Sequence, residues 1–396
     1  MTIQNALSQR AELEGLLDSH PEVSLDNAVL VRALAQGYKQ PMLVMDLDIV
    51  REKLRRFRSA MPSVAPHYAV KANPDLRVLS ALKDEGCDFE IASINELDLL
   101  MKLDVDVSRV HYSNPVKPSQ FIRYAASKGV RWFAFDSEEE LRKIVSHVPD
   151  AKLYLRFDTP NIGSDWPLSG KFGAKLRDVD AILDVAVGLR ADVCGVTFHV
   201  GSQCRNVDNW TQAIESGRRI FESMRLRNLS PELLNIGGGF PVRLTKPIPS
   251  IEYIGQVVAT ALDSLGEEIK VSAEPGRYMV SDSACFVCQV IGTATKGDER
   301  WLYLDAGVFS GLMECTQGIH YEISSSRDSG GDEVPWFIAG PSCDSVDVLP
   351  REQQLPSTIS EGDFLYFPNA GAYTTVYANE FNGFPLPEIR VFNERR

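Results

Sequence analysis

The chain has 396 residues, of which 44% are hydrophobic and 24% charged, and its 54 acidic and 41 basic side chains give a net charge of −13. Such an acidic surface lacks the basic footprint of a nucleic-acid binder, and no apolar run reaches membrane-spanning length. The seven scattered cysteines and an N-terminus without a leader pattern predict reduced thiols and a cytoplasmic protein.

Residues 1–39 carry helical patterning, at 13–17 and 29–34. Residues 41–46 read as a strand and 48–60 as a basic amphipathic helix. Then a regular alternation begins. Short apolar, β-branched or aromatic runs lie at 67–71, 87–93, 110–114, 132–136, 153–158, 195–202, 233–239 and 271–277. Helical segments separate them at 76–85, 95–102, 118–128, 138–145, 179–191, 210–226 and 251–265. Eight strands alternating with helices predict a parallel sheet, because each parallel crossover needs a helix-sized connection. The length suits a closed (β/α)8 barrel over 40–280, with an open doubly wound sheet as the alternative. Even strand spacing and the lack of a Gly-x-Gly-x-x-Gly turn after the first strand disfavour the open sheet.

After residue 280 the alternation stops. Runs at 301–304, 336–339 and 363–367 read as antiparallel strands, and 324–332 as a polar loop. Residues 281–396, joined by 1–39, are therefore expected to form a separate β-domain. Cys285 and Cys288 lie in one strand-like run without a second Cys pair or a nearby histidine, so core packing is expected there and no metal site.

A parallel barrel gathers its chemistry at the C-terminal ends of its strands. Those ends carry Lys71, Glu90, Ser113-Asn114, Arg156, His199-Val200-Gly201-Ser202, Gly237-Gly238-Gly239 and Glu274-Pro275-Gly276-Arg277. Lys71 is expected to be a poorly solvated amine of lowered pKa, and hence a nucleophile. Alone, each residue has an ordinary structural explanation: a solvated lysine, a core histidine, a tight glycine turn, an ion pair. Together, a lysine, a glycine turn with an arginine for a phosphate, and a free carboxylate are the parts that pyridoxal phosphate requires.

Seven motifs then carry a likeness. They are Ala69-Val70-Lys71-Ala72-Asn73, Gly170-Lys171-Phe172-Gly173, Phe198-His199-Val200-Gly201-Ser202, Ile236-Gly237-Gly238-Gly239-Phe240-Pro241, Glu274-Pro275-Gly276-Arg277, Gly340-Pro341-Ser342-Cys343-Asp344, and Gly371-Ala372-Tyr373 with Phe381-Asn382-Gly383-Phe384. In this order and spacing, from about residue 40 to about 385, the chain resembles the ornithine decarboxylase family of fold-type III pyridoxal-phosphate enzymes. The resemblance implies that Lys71 is the Schiff-base lysine, His199 stacks on the pyridine ring, and Glu274 pairs with its nitrogen. It assigns the phosphate to Ser202, Gly238, Gly239, Gly276, Arg277 and Tyr373, and places Glu90 and Arg156 near the cofactor. It further implies a head-to-tail homodimer in which the partner supplies Cys343 and Asp344. Cys343 or Lys71 would return a proton to Cα. Fold-type III alanine racemases set an arginine against the ring nitrogen, so Glu274 disfavours racemisation.

The likeness is incomplete after residue 304. Eukaryotic ornithine decarboxylases place a Tyr-Asp pair there for the distal amine, whereas Tyr321-Glu322 comes several residues too late. Glu314, Asp344 and Phe381 are the substrate-side candidates. L-Ornithine, L-lysine, a D-amino acid and a larger amino acid conjugate all stay open as substrates. So does an inactive homologue that regulates by binding a protein.

Overall fold

The computed structural model describes residues 25–168, 170–266, 268–327, 332–350 and 352–394. They fall into two compact units. One comprises Lys53–Pro241 with Ile248–Gly276, and the other comprises residues 25–52, Val242–Pro247 and the chain from Arg277 onward. The helical pattern expected at 13–17 lies outside the described residues.

The first unit is a closed barrel of eight parallel strands. They are β1 (Val64–Ala69), β2 (Asp88–Ile91), β3 (Val110–Tyr112), β4 (Trp132–Phe135), β5 (Lys152–Arg156), β6 (Asp192–Thr197), β7 (Leu233–Asn235) and β8 (Lys270–Ala273). The barrel closes where β8 pairs with β1, Val271 opposite Val64. Each expected run forms a strand, so the closed barrel is found and the open sheet is not. Four of the helices between strands, Leu76–Asp84, Ile94–Lys102, Glu138–His147 and Ile251–Leu262, start on side-chain caps. Ser93 accepts from the Glu96 amide while Glu96 reaches back to the Ala92 amide, and Ser137 accepts from Glu140.

Alternation along β5 sends Leu153 and Leu155 to one face and Tyr154 and Arg156 to the other. Tyr154 packs with Trp132, Ala134 and Leu233, residues of β4, β5 and β7. Because β4 and β7 are not neighbours, this cluster fills the barrel interior. The His67 and His111 rings lie 4.2 Å apart, with Tyr154 a further 5.8 Å from His111. Branched aliphatic residues usually fill such an interior; here polar rings packed at a tilt share it.

The second unit is built on a sheet whose longest strand is Ala284–Lys296. Met42–Asp46 pairs antiparallel with it and parallel with Glu388–Phe392. The helix Asn27–Ala35, capped by Asp26, covers this region and buries Val29 and Ala33 with Met42, Val44, Cys285, Val287 and Phe392. Cys285 and Cys288 are three residues apart on one strand, so their side chains leave opposite faces. One expectation needs correction. Glu299–Leu304 and Glu333–Ala339 pair parallel, not antiparallel, so the sheet is mixed. The long segment between them is enough for a parallel crossover, although its described residues hold only short 3-10 turns at Val308–Ser310 and Met313–Gln317 and the two-residue strand Ser324–Ser325, which lies in the stretch expected to be a polar loop.

Candidate active site

All eight barrel strands deliver a polar group at or just beyond their C-terminal ends. Strand β1 stops at Ala69, and Lys71 stands on a 3-10 turn, Val70–Ala72. Its Nζ donates to Glu90 Oε2 at 2.8 Å. Glu90 is buried, but the Lys71 side chain retains 43% exposure. The desolvated amine expected from a strand end is therefore not found: one more turn of backbone carries the ammonium out of the wall, where Glu90 balances its charge.

Glu274 follows β8. Its Oε1 accepts from Ser113 Oγ at 2.5 Å and Asn235 Nδ2 at 2.6 Å. Among the described residues, Oε2 accepts no hydrogen bond. Burial raises the Glu274 pKa and the nearby Glu90 charge adds to that, while Lys71, Ser113 and Asn235 pull it down. His199 lies half-buried beyond β6, and its Nδ1 accepts from the Gly201 amide at 3.0 Å. Burial, then the charges of Arg156 and Lys71, hold its pKa well below the usual value, so the ring is neutral at physiological pH. The guanidinium of Arg156, the last residue of β5, lies 5.4 Å from the Phe172 ring centre.

The glycine turn is built for close approach. A Cβ on Gly238 would stand 2.6 Å from the Glu274 carbonyl oxygen and 3.1 Å from His199 Nε2. On Gly239, at φ +98°, it would stand 2.2 Å from the Gly201 carbonyl oxygen. Ser202 opens the strand Ser202–Cys204, which pairs with Ser164–Trp166.

In the second unit, Arg277 opens the short helix Arg277–Val280, with Gly276 buried just before it. Its guanidinium bonds Glu314 in a forked pair, at 2.8 and 2.7 Å, and lies 4.9 Å from the Tyr373 ring centre. Arg277 and Glu314 retain 4% and 3% exposure. Burial opposes the charge on Arg277, but the Glu314 carboxylate outweighs it and raises the Arg277 pKa. Glu314 is thus engaged by an arginine. Tyr321 is buried and packs on Phe367, while Glu322 is exposed. Cys343 and Asp344 lie on an exposed loop, where the Cys343 amide donates to Asn382 Oδ1 at 3.0 Å. Phe381, also exposed, packs on Phe309 with ring centres 4.5 Å apart.

Sequence reading passed over several residues. Asp136, after β4, accepts from the Gly173 amide at 2.9 Å. Asn235 joins the glycine turn to Glu274, and Tyr154 backs Ser113 at 2.7 Å. Strand alternation was the available signal for Tyr154, which shares the inward face with Arg156. Asp347 is buried in the second unit and accepts from the Val308 and Ser342 amides at 2.7 and 3.0 Å.

On the barrel rim, an accessible amine, a carboxylate oxygen without a partner, a neutral flat imidazole and a glycine turn with no room for side chains fit pyridoxal phosphate. Comparison with known proteins agrees. The family model described as "pyridoxal-dependent decarboxylase, pyridoxal binding domain" matches residues 47–281. Ornithine decarboxylase of Schizosaccharomyces pombe is 37% identical over 360 residues, covering 87% of this chain and 82% of that one. The lysine/ornithine decarboxylase of Selenomonas ruminantium is 34% identical over 369 residues, covering 92% and 93%. Among solved structures, the Paramecium bursaria Chlorella virus arginine decarboxylase bound to agmatine superposes with a TM-score of 0.88 at 28% identity, covering 93% of this chain and 100% of that one. By sequence and by fold, this chain belongs to the pyridoxal-dependent decarboxylases of the ornithine decarboxylase family.

Proposed function

We propose that the protein removes the carboxylate of a cationic amino acid, L-ornithine or L-lysine, to give a diamine and CO2. The observation that carries this reading is Glu274, with one oxygen held by two donors and the other open. When bound, pyridoxal phosphate supplies the electron sink that accepts the pair left as CO2 departs. Lys71 is the residue that would hold the cofactor covalently. Glu274 keeps a proton on the ring nitrogen, which makes the ring a strong acceptor. His199, held neutral, would offer the ring an uncharged flat face that does not oppose positive charge there. Glu90 orients the Lys71 amine, and Arg156 adds positive charge beside the cofactor.

The phosphate falls to Ser202, Gly238, Gly239, Gly276, Arg277 and Tyr373, with backbone amides of the glycine turn as donors. Asp344 and Phe381 recognise the substrate's distal end, and Cys343 or Lys71 returns the proton to Cα. We read 40–280 as the cofactor-binding domain and 281–396 as the domain that completes the site within a homodimer. A half-buried aromatic stack on the second unit's sheet, Trp301 on Phe337 at 4.9 Å, supports a self-association surface. Seven free thiols suit the cytoplasm, and the diamine product suits polyamine synthesis.

The test is CO2 release by the cofactor-loaded protein across ornithine, lysine, arginine and their D-forms. Release from ornithine or lysine is expected, together with a visible absorption band that Lys71→Ala abolishes. A band without release from any diamino acid favours a regulatory homologue and sinks the enzymatic reading. Sedimentation of the full chain at about twice its monomer mass is expected for the dimer.

A further inference from the structure

We infer that Asn235 and Ser113 are positioning residues for Glu274, and that Asn235 couples the carboxylate to the glycine turn. The inference rests on the cofactor reading above. Asn235, the last residue of β7, is fully buried. Its Nδ2 donates to Glu274 Oε1 at 2.6 Å while its Oδ1 accepts from the Gly237 amide at 2.9 Å. A flipped amide would set its NH2 against the Gly237 N–H and its oxygen against the carboxylate, so the two partners fix its orientation. The backbone repeats the link: the Glu274 amide donates to the Gly237 carbonyl at 2.7 Å. Gly237 itself has φ +65°, and a Cβ there would stand 2.0 Å from the Phe198 carbonyl oxygen.

Ser113 reaches the same carboxylate oxygen from beyond β3. A serine hydroxyl has one proton, and an ionised carboxylate only accepts. Ser113 therefore donates to Glu274, and Tyr154 must donate to Ser113. The chain of donors has one direction, Tyr154 to Ser113 to Glu274. Two donors on Oε1 are charge-assisted bonds to the ionised form. They also stop rotation about the last side-chain torsion, which for a glutamate is broad and nearly two-fold. Only Oε2 is then available to the ring nitrogen. Because Asn235 holds Glu274 and the glycine turn together, the group that meets the ring nitrogen and the backbone that meets the phosphate are set by one side chain.

A pair of cofactors tests this. Apo forms of the wild type, Asn235→Ala, Ser113→Ala and Ser113→Thr are titrated with pyridoxal phosphate and with its deaza analogue, which has carbon in place of the ring nitrogen. Binding is followed by visible absorbance, and far-UV circular dichroism checks the fold of each apo form. Each alanine variant is expected to bind pyridoxal phosphate about tenfold more weakly, the loss of one hydrogen bond to a charged group. Ser113→Thr keeps the donor and should bind as the wild type does. Both Ser113 variants should bind the analogue as the wild type does, since it cannot engage Glu274 through nitrogen, whereas Asn235→Ala should lose some affinity for the analogue, which keeps its phosphate, but less than for pyridoxal phosphate. Equal losses for both cofactors would mean that the two residues merely hold the rim together, and no loss for either would remove them from the site; both outcomes overturn the inference. If Asn235→Ala does not fold, Ser113→Ala acts on the same oxygen from another strand. Failure of the wild type to bind pyridoxal phosphate at all would instead overturn the cofactor reading.

Discussion

That Lys71, His199 and Glu274 share one rim was legible in the sequence because a parallel barrel turns position into proximity: whatever follows a strand reaches one rim. The same logic passes over residues whose part is to hold another side chain. Asn235 ends a strand and looks like a turn signal, yet its buried amide has both of its polar ends engaged. Glu314 shows the opposite difficulty. It was a candidate for the substrate amine, but an arginine 37 residues earlier takes both its oxygens, a pairing that no local pattern announces. Single residues also set the response to acid. Burial lowers the His67 pKa and, more strongly, that of His111, where neighbouring His67 adds to the effect. A group whose folded pKa is lowered takes up protons mainly on unfolding, so stability is present above the unfolded value of about 6.5 and is lost as pH falls below it. Thermal melts in a pH series should show this decline, and His111→Leu should make it shallower. A slope unchanged by the substitution would remove the buried pair as its source.

At the scale of elements, the alternation of strand and helix was legible because its two periods differ and repeat. The parallel pairing of Glu299–Leu304 with Glu333–Ala339 was not, because among the described residues between them no α-helix marks a crossover. What shapes that connection is Asp347. A Cβ on Gly340 would stand 2.3 Å from Asp347 Oδ1, and one on Gly307 would stand 2.1 Å from the same atom. Neither glycine is required for a left-handed backbone; both are required to leave room for a buried carboxylate that accepts from the Val308 and Ser342 amides. The loop bearing Cys343 and Asp344 is thereby pinned at its base. Gly340→Ala should cost about 2 kcal/mol by overpacking, read as a lowered melting temperature. A variant as stable as the wild type would show that Asp347 can move aside and is not the anchor.

For the whole molecule, the cofactor should act on stability as well as on chemistry. A ligand that binds only the folded chain adds about 2.7 kcal/mol at a hundredfold excess over its dissociation constant. Melts of the apo protein with increasing pyridoxal phosphate should rise with concentration, and a flat series would show that the site does not form before unfolding begins. The sheet of the second unit has a further consequence. Met42–Asp46 lies between Ala284–Lys296 and Glu388–Phe392, although the whole barrel intervenes in the chain. On a ribosome that strand emerges first, and both its hydrogen-bonding edges stay unsatisfied until the barrel has been made. Until then it is an adhesive ribbon, five apolar or acidic residues with no neighbour. A nascent chain stalled before Glu388 would have a finished barrel and an unfinished sheet, with one edge of that ribbon still open.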